Sequence, residues 1–300
     1  MNYSPLRYPG GKSKLYCLVK SMINKIDNKV VYVEPFVGGG GLALSLLSNG
    51  DVDNIIINDL DKGIYSFWRA ILTETKKFVE LIERTPISID EWQKQKKIYE
   101  IKNNKYSLEL GFATFYLNRT NRSGIINAGP IGGFNQTGKY KLNCRFNKNN
   151  LIKKILKIAE NKNKIQVFNY DATTFINKIA FKFKDRFTYY DPPYYKKGEE
   201  LYRNYLSHND HVRIANLIKS DDANWLVTYD VASEIEKLYC SYEIKRYRIN
   251  YSLANSGAAE ELIFSSNDNL WPTEEEIRSL KFNLQLKGKT SDEHRSRSIK

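Results

Sequence analysis

The fold class is decided by one stretch, Val30-Val31-Tyr32-Val33-Glu34-Pro35-Phe36-Val37-Gly38-Gly39-Gly40-Gly41. Its β-branched and aromatic start predicts a short buried strand. The glycines let the backbone approach a ligand and turn sharply into a helix, which we predict over about Leu42–Ser48. Asn54–Asp59 repeats the strand pattern, and a helix over Lys62–Leu72 follows. This rhythm predicts parallel strands that are joined by crossover helices.

The same alternation returns in the second half of the chain, after a helix over residues 150–161. Further strands are predicted at Ile165–Tyr170, Phe187–Tyr190, Trp225–Tyr229, Tyr242–Ile249 and Glu261–Phe264. We therefore predict an α/β fold with a doubly wound, mostly parallel, seven-stranded Rossmann-like sheet, formed by residues 1–72 and 150–286. The polar end, residues 287–300, is expected to be a disordered tail.

Residues 73–149 interrupt this rhythm and are predicted to form an inserted domain. The pattern is mainly helical as far as Asn118. From Arg119 to Phe146 the chain is rich in glycine and asparagine, as is typical of an ordered loop or hairpin. Residues 110–159 contain nine Lys and Arg but no Asp or Glu. A surface that faces phosphates excludes carboxylates for a Coulombic reason, so this insertion is predicted to bind nucleic acid.

Composition and charge narrow the function further. A chain of 300 residues with 41% hydrophobic residues can form one full core and a smaller inserted domain. The net charge of +13 suggests a polyanionic partner. No apolar run is long enough for a membrane span, and the start does not resemble a secretory signal. Three scattered cysteines predict neither a disulfide framework nor a metal site, and they suit a reducing cytoplasm.

Asp59 extends the argument from the glycine loop to a nucleoside cofactor. It ends the second strand, and an acidic side chain there can accept hydrogen bonds from both hydroxyl groups of a ribose. Gly38, Gly40 and Ala43 also fit the G-x-G-x-x-A pattern of dinucleotide-binding proteins, so these residues do not identify the cofactor. The alternative is a glycine-rich turn with an aspartate that caps a helix.

The tetrapeptide Asp191-Pro192-Pro193-Tyr194 identifies the chemistry. It ends a predicted strand, where open α/β sheets bind ligands. An amino group on an aromatic ring is a poor nucleophile, because its lone pair is delocalised into the ring. The Asp191 carboxylate and the backbone oxygen of Pro192 can accept both N–H groups and free the lone pair, while the prolines stiffen the turn and Tyr194 can stack on the base. An ordinary strand-ending turn is the alternative.

These motifs, in this order, resemble the adenine-specific (N6) DNA methyltransferases of the Dam type over roughly residues 5–265. Arg7–Lys12 resembles the N-terminal motif of that family, Glu34–Gly40 its cofactor loop, Asn58–Asp61 its ribose segment and Asp191–Tyr194 its catalytic tetrapeptide. The resemblance implies a methyltransferase sheet with S-adenosylmethionine as the cofactor and S-adenosylhomocysteine as the product. It implies a cofactor pocket that is lined by Tyr8, Lys12, Glu34, Phe36, Gly38, Gly40, Asp59 and Asp171. For Asp171, capping of a helix is the alternative.

The insertion is the predicted reader of DNA sequence, because Tyr116–Gly124 and Gly138–Lys141 resemble a recognition segment of the same family. Arginine can read guanine, and asparagine or glutamine can read adenine. The candidates for base contacts are therefore Arg119, Arg122, Asn135 and Gln136. The candidates for phosphate contacts are Lys139, Lys141 and Arg145. A solvated or structural role is the alternative at each position, and residues 126–137 depart from the Dam pattern, which leaves the target sequence open.

The sequence thus predicts site-specific methyl transfer to a flipped-out adenine in double-stranded DNA. An RNA adenine or a protein glutamine as the substrate, a NAD-dependent oxidoreductase and a catalytically silent DNA-binding protein are the alternatives. We expect a monomer without a metal ion, in the cytoplasm of a bacterium or archaeon or encoded by a phage. A cognate restriction endonuclease is expected as a functional partner in a restriction–modification system.

Overall fold

The computed structural model describes residues 3–7, 11–101, 105–196, 206–250, 258–279 and 287–288. The strands β1 to β8 are Val31–Glu34, Ile55–Asn58, Ile165–Phe168, Arg186–Tyr190, Asn224–Asp230, Lys245–Asn250, Ala258–Ser265 and Lys287–Gly288. The helices α1 to α11 are Tyr16–Ile23, Gly41–Ser48, Lys62–Thr73, Thr75–Arg84, Ile89–Glu100, Leu108–Thr120, Lys148–Glu160, Ala172–Lys178, His208–Lys219, Ser233–Leu238 and Glu274–Ser279. Each of the seven predicted strands is present.

The strands form one twisted sheet in the order β3-β2-β1-β4-β5-β7-β6-β8. The pairs from β3 to β5 are parallel, and β7 runs antiparallel between β5 and β6. The doubly wound prediction is therefore confirmed. Because β1 pairs with β2 on one side and with β4 on the other, the strand order reverses there, and the crevice of such a sheet opens at the carboxyl ends of these strands.

The predicted topology needs one correction at the C-terminus. Lys287 and Gly288, the first two residues of the expected disordered tail, pair antiparallel with Arg246 and Lys245 of β6. They add an eighth strand to the edge of the sheet. An edge strand has unpaired N–H and C=O groups, and these can pair with the backbone of a polar segment as well as with that of an apolar one. The predicted tail beyond Gly288 lies outside the described residues.

Burial on both faces of the sheet explains the apolar runs in the central strands. In β2, Ile55, Ile56 and Ile57 are each no more than 1% exposed. Helices cover both faces of a doubly wound sheet, so such strands have no polar face and show no alternation. Among the described helices, none is both long and apolar enough to cross a membrane.

The helices of the insertion pack directly on the sheet domain through α3. Phe67 of α3 contacts Phe78 of α4 edge to face and stacks on Phe115 of α6. These rings belong to the same apolar core as residues of β1 and β2. The predicted boundary after residue 72 therefore falls between helices that share one core. The assignment of residues 73–149 to DNA recognition stays a prediction.

Gly111 sets the distance between α3 and α6, and we predict that Gly111→Ala destabilises the protein. Alanine favours a helix over glycine by about 1 kcal/mol. However, a Cβ at position 111 would lie 2.5 Å from the backbone oxygen of Ser66. Overpacking of this kind typically costs about 1–3 kcal/mol, so the midpoint of urea unfolding should fall. A midpoint equal to or above that of the wild type would contradict the close helix contact.

Candidate active site

The loop between β1 and α2 forms one wall of the crevice. Gly38 and Gly40 both have left-handed backbone conformations, with φ of 44° and 58°. A Cβ at Gly40 would lie 2.7 Å from Cζ2 of Trp68, so only glycine fits there. The indole N–H of Trp68 donates to the backbone oxygen of Gly38 at 3.0 Å. Helix α3 thus fixes a loop that presents bare backbone to the crevice.

Asp59 follows β2 and faces the glycine loop. Its carboxylate accepts the backbone N–H of Gly38 at 2.8 Å through Oδ2 and that of Asp61 at 2.9 Å through Oδ1. Burial and the neighbouring Asp61 carboxylate raise the pKa of Asp59 to about 7. Each carboxylate oxygen can accept a further hydrogen bond, so the predicted ribose contacts are compatible with these bonds.

The crevice between this loop and the ends of β2 and β4 has a volume of about 490 Å³. Six of the predicted cofactor residues line it: Lys12, Glu34, Phe36, Gly40, Asp59 and Asp171. Gly38 does not line the crevice, but its backbone N–H binds the carboxylate of Asp59, which does. Tyr8 lies outside the described residues.

Asp171 caps helix α8, as in the alternative to a cofactor contact that its sequence position offered. Its Oδ1 accepts the backbone N–H of Thr174 at 2.9 Å. Burial raises its pKa, but the hydrogen bonds from Thr174 and Thr173 outweigh this and lower the pKa overall. The side chain is exposed and lines the crevice, so a contact with the cofactor adenine stays a prediction.

Among the apolar residues of the crevice that were not predicted from the sequence, Leu60 and Tyr170 are large and exposed. Their exposed fractions are 46% and 41%, which is high for residues of this size. Each directly adjoins a predicted polar residue, Asp59 or Asp171, and both line the crevice. The available signal was an apolar side chain immediately beyond the end of a parallel strand. Such a residue flanks a ligand site instead of entering the core.

Asp191 lies at the carboxyl end of β4 and opens onto the same crevice. Its Oδ1 is 3.0 Å from Nζ of Lys12 and accepts the hydroxyl of Thr228 at 2.9 Å. Burial raises the pKa of Asp191, and although Lys12 opposes this rise, the pKa stays above its usual value. The side chain is 21% exposed, so the carboxylate is held from inside the protein but remains accessible from the crevice.

Lys12 lines the crevice and also joins two carboxylates. Its Nζ lies 3.0 Å from Asp191 and 3.1 Å from Oε2 of Glu261, a residue of β7. Burial lowers the pKa of Lys12, but the two carboxylates raise it well above its usual value. Its ammonium group is therefore charged. Glu261 was not identified from the sequence, although a charged residue beside the apolar run Leu262–Phe264 was an available signal.

The other residues of the tetrapeptide differ in their access to the crevice. Pro193 lines it, whereas Pro192 is buried. Tyr194 is only 6% exposed, and its hydroxyl donates to Oε1 of Glu261. In this structure the Tyr194 ring is therefore covered and not open to a base. Stacking by Tyr194 and acceptance of an N–H by the Pro192 oxygen stay predictions.

Glu34 is a buried acid at the end of β1 whose side chain faces both Asp191 and the crevice. It is 4% exposed and accepts the hydroxyl of Tyr32 at 3.2 Å. Burial and the nearby Asp191 carboxylate raise its pKa well above the usual range. Glu34 therefore keeps its proton to a higher pH than an exposed glutamate does, which limits the negative charge around Asp191.

Two of the predicted base-reading residues, Arg119 and Gln136, bind the backbone of the insertion, and their base contacts stay predictions. The Arg119 guanidinium donates to the backbone oxygen of Arg145, with Nε at 2.8 Å. Burial and the nearby Arg7 lower the pKa of Arg119 to about 10. The Gln136 amide donates to the backbone oxygen of Ile131 at 2.8 Å and accepts the N–H of Leu142 at 2.8 Å. These contacts match the structural alternative.

The remaining predicted DNA contacts lie on the surface of the insertion. Arg122, Asn135, Lys139, Lys141 and Arg145 are all exposed. Phe134 and Tyr140, which sequence reasoning missed, are 58% and 60% exposed among them. The segment 124–127 of the insertion also lines the crevice. The basic surface and the crevice therefore belong to adjoining parts of the molecule. No group of acidic, histidine and cysteine residues suited to a metal occurs within the described part of the chain.

Comparison with protein families agrees with this geometry. A family model described as D12 class N6 adenine-specific DNA methyltransferase matches residues 8–253. The chain belongs to this D12 class. The resemblance to adenine-specific DNA methyltransferases that the motifs carry is thereby confirmed, and the D12 class is one that methylates adenine in DNA.

Characterised relatives of this D12-class chain are type II methyltransferases. M.MjaIII of Methanocaldococcus jannaschii is 25% identical over 205 residues, covering 63% of this chain and 68% of the relative. M.CviBI of Paramecium bursaria Chlorella virus NC1A is 21% identical over 234 residues, covering 73% and 80%. Among solved structures, a candidate RNA methyltransferase of Pyrococcus horikoshii matches with 12% identity and a TM-score of 0.40, covering 87% of this chain and 84% of its own. That score is too low to carry an argument.

We predict that Asp59→Asn changes how stability depends on pH. The Asp59 pKa of about 7 exceeds the value of about 4 in an unfolded chain. Between these values the folded protein holds a proton that the unfolded chain has released, so stability from this group falls as the pH rises. Relative to the variant, the wild type should lose free energy of unfolding from about pH 4 to 7 and then level off. Urea unfolding at each pH tests this, and a difference independent of pH would contradict it.

Proposed function

We propose that this D12-class protein transfers a methyl group from S-adenosylmethionine to N6 of an adenine in double-stranded DNA and releases S-adenosylhomocysteine. One observation carries the proposal. The Asp191 carboxylate, which Lys12 and Thr228 hold, opens onto the same crevice as the glycine loop and Asp59. A nucleoside cofactor and an adenine amino group would therefore meet in one place.

The residues of the crevice fit such a cofactor. Its volume of about 490 Å³ suits a small-molecule site. Backbone at Gly40 permits close approach, Asp59 offers acceptors to ribose hydroxyls, and Leu60 and Tyr170 offer apolar surface to a flat ring. When bound, S-adenosylmethionine supplies a methyl group on a positively charged sulfur.

Asp191 makes the adenine amino group nucleophilic in this proposal. Among the described residues, Lys12 and Thr228 both bind Oδ1, so we assign Oδ2 as the oxygen that accepts an N–H of adenine. With the backbone oxygen of Pro192 as the second acceptor, the nitrogen moves towards tetrahedral geometry and its lone pair leaves the ring. The Lys12 ammonium favours the ionised carboxylate, and the negative charge stabilises the positive charge that develops on the nitrogen as it bonds the methyl carbon. The methylated nitrogen then loses one of its two protons, which passes through Asp191 to solvent, and neutral N6-methyladenine results.

The target adenine must leave the DNA helix to reach Asp191, because its amino group is paired inside the duplex. The segment 124–127 of the insertion, which lines the crevice, lies where a flipped base would enter. Exposed Arg122 and Asn135 remain candidates for reading bases, and Lys139, Lys141 and Arg145 for binding phosphates. The recognition role of the insertion rests on this surface and on the absence of Asp and Glu from residues 110–159.

The alternatives have less support. Family membership favours DNA over an RNA adenine or a protein glutamine as the substrate. An oxidoreductase or a catalytically silent DNA-binding protein has less support, because neither would use the Asp191–Tyr194 tetrapeptide. Because the relatives are type II methyltransferases, we propose a restriction–modification role with a cognate endonuclease. The predictions of a monomer and of a cytoplasmic location stand as part of this proposal.

Sequencing of DNA from expressing cells tests the proposal. The host should lack adenine methylation of its own, and the reads should detect N6-methyladenine together with its flanking bases. We expect methylation at one short sequence. A panel of duplex DNA, RNA and protein with a radiolabelled methyl donor separates the alternatives. Labelling of RNA or protein in preference to DNA would overturn the proposal, as would the absence of labelling in all three.

We predict that Asp191→Ala lowers the rate of methyl transfer by orders of magnitude while the protein still folds. The variant lacks the side-chain acceptor for the amino group, and loss of one such stabilising group typically lowers the rate about 10²–10³-fold. Asp222→Ala, at an exposed site, is the matched control and should retain the wild-type rate. Circular dichroism and labelled-methyl transfer to duplex DNA provide the measurements. Full activity of the Asp191 variant would refute its assignment.

We predict that Lys139→Ala weakens DNA binding for all sequences alike. Loss of one phosphate contact should reduce the slope of log K against log salt concentration by about 1. Lys29→Ala is the control, because Lys29 is exposed and precedes the amino end of β1. The crevice lies at the carboxyl ends of the strands, on the other side of the sheet domain. Fluorescence anisotropy at several salt concentrations provides both slopes. Equal slopes for the two variants would remove Lys139 from the DNA-binding surface.

A further inference from the structure

Strands β6 and β7 place a second set of polar groups beside the catalytic carboxylate. Tyr247 and Glu261 are directly opposite each other in the register of this antiparallel pair. Tyr247 is fully buried and Glu261 is 1% exposed. Neither lines the crevice, so neither is expected to contact the cofactor or the base.

Within the described part of the chain, Glu261 binds groups from the tetrapeptide loop, from β6 and from the N-terminal segment. It accepts the hydroxyls of Tyr194 and Tyr247, and its Oε2 lies 3.1 Å from Nζ of Lys12. A carboxylate buried in an apolar strand is costly unless such charge-assisted bonds compensate it. The tetrapeptide loop, the N-terminal segment and β6 are therefore tied to one residue of β7.

We propose that Glu261, supported by Tyr247, is a positioning residue that holds the Lys12 ammonium against Oδ1 of Asp191. The inference rests on the proposed function, because it assumes that Asp191 accepts the adenine amino group. Lys12 lies between two carboxylates, so its place is fixed from β7 and not by Asp191 alone. With Oδ1 held in this way, the orientation of the Asp191 carboxylate is set before substrate binds.

The arrangement also sets the charge next to the reacting nitrogen. One ammonium and two carboxylates give the group Lys12, Asp191 and Glu261 a net charge of −1. Replacement of Glu261 by a neutral residue would leave a neutral pair. A single negative charge suits the positive charge that develops on the nitrogen during methyl transfer.

Several titratable groups surround Asp191, and each bears on its protonation. Lys12 is the cation among them. Burial raises the pKa of Tyr32, Tyr189, Tyr229 and Tyr247 well above its usual value, so these four tyrosines stay neutral near pH 7. The groups come from the N-terminal segment, from β1, β4, β5, β6 and β7, and from the tetrapeptide loop: Lys12, Tyr32, Glu34, Tyr189, Tyr194, Tyr229, Tyr247 and Glu261.

Glu261→Gln tests the inference, with Glu260→Gln as the matched control one residue earlier on the same strand. Glu260 pairs with Arg246 instead of Lys12. For Glu261→Gln we expect the single-turnover rate of methyl transfer to fall about tenfold or more, since orientation of reacting groups contributes at least this much. Equilibrium binding of cofactor and of DNA, measured by calorimetry and anisotropy, should stay at the wild-type level. Glu260→Gln should match the wild type in every measurement.

The pH profile separates positioning from a merely structural role. The rate requires ionised Asp191. Glu261→Gln removes the repulsion between the Glu261 and Asp191 carboxylates, and Lys12 then pairs with Asp191 only. Asp191 should therefore ionise at lower pH, and the acid limb of the pH–rate profile should move to lower pH. Glu261→Asp, which keeps the charge, should leave the acid limb near its wild-type position. An unmoved limb in Glu261→Gln, or a wild-type rate in it, would overturn the inference.

A second variant covers the case in which Glu261→Gln fails to fold. Tyr247→Phe keeps every charge and removes one hydroxyl donor to Glu261. A severalfold lower rate with unchanged cofactor and DNA binding would support the inference, and a wild-type rate would overturn it. The two levels of failure are distinguishable. Absence of DNA methylation by the wild type refutes the proposed function, whereas a methylating wild type with fully active variants refutes only the role of Glu261.

Discussion

The active site depends on one buried ammonium group. Lys12 comes from the N-terminal segment, whereas its partners Asp191 and Glu261 come from the second half of the chain. A buried lysine stays charged only when anions surround it, and a buried carboxylate likewise needs a cation or several donors. Each of the three charges therefore requires the others. This mutual requirement joins the first residues of the chain to the carboxyl end of β4 and to β7.

Most of the fold was predictable because each element has a local signal. Parallel strands buried on both faces are continuous apolar runs, and the glycine loop at Gly38–Gly41 marks the turn into a helix. The edge strand Lys287–Gly288 has no such signal, since its two residues contribute only backbone bonds. The shared core of α3 and α6 was also not predictable, because the close approach at Gly111 depends on a distant helix.

The candidate site was predictable where function depends on motif residues at strand ends. Asp59 and Asp191 were identified in this way, and both line the crevice. The motifs do not give the partners of these side chains within the protein. Lys12 pairs with Asp191 across 179 positions of sequence, and Arg119 donates to the backbone oxygen of Arg145. Sequence alone gives the residue type at a position, but not which neighbours already occupy its hydrogen-bonding groups.

The core shared by α3, α4 and α6 has a consequence for engineering. Phe67, Phe78 and Phe115 belong to one aromatic cluster, so residues 73–149 are not a detachable module. Exchange of this whole segment with that of a relative would leave mismatched rings beneath the sheet. Changes to the predicted DNA-binding surface are therefore best confined to residues 122–145, whose exposed side chains lie outside the Phe67, Phe78 and Phe115 cluster.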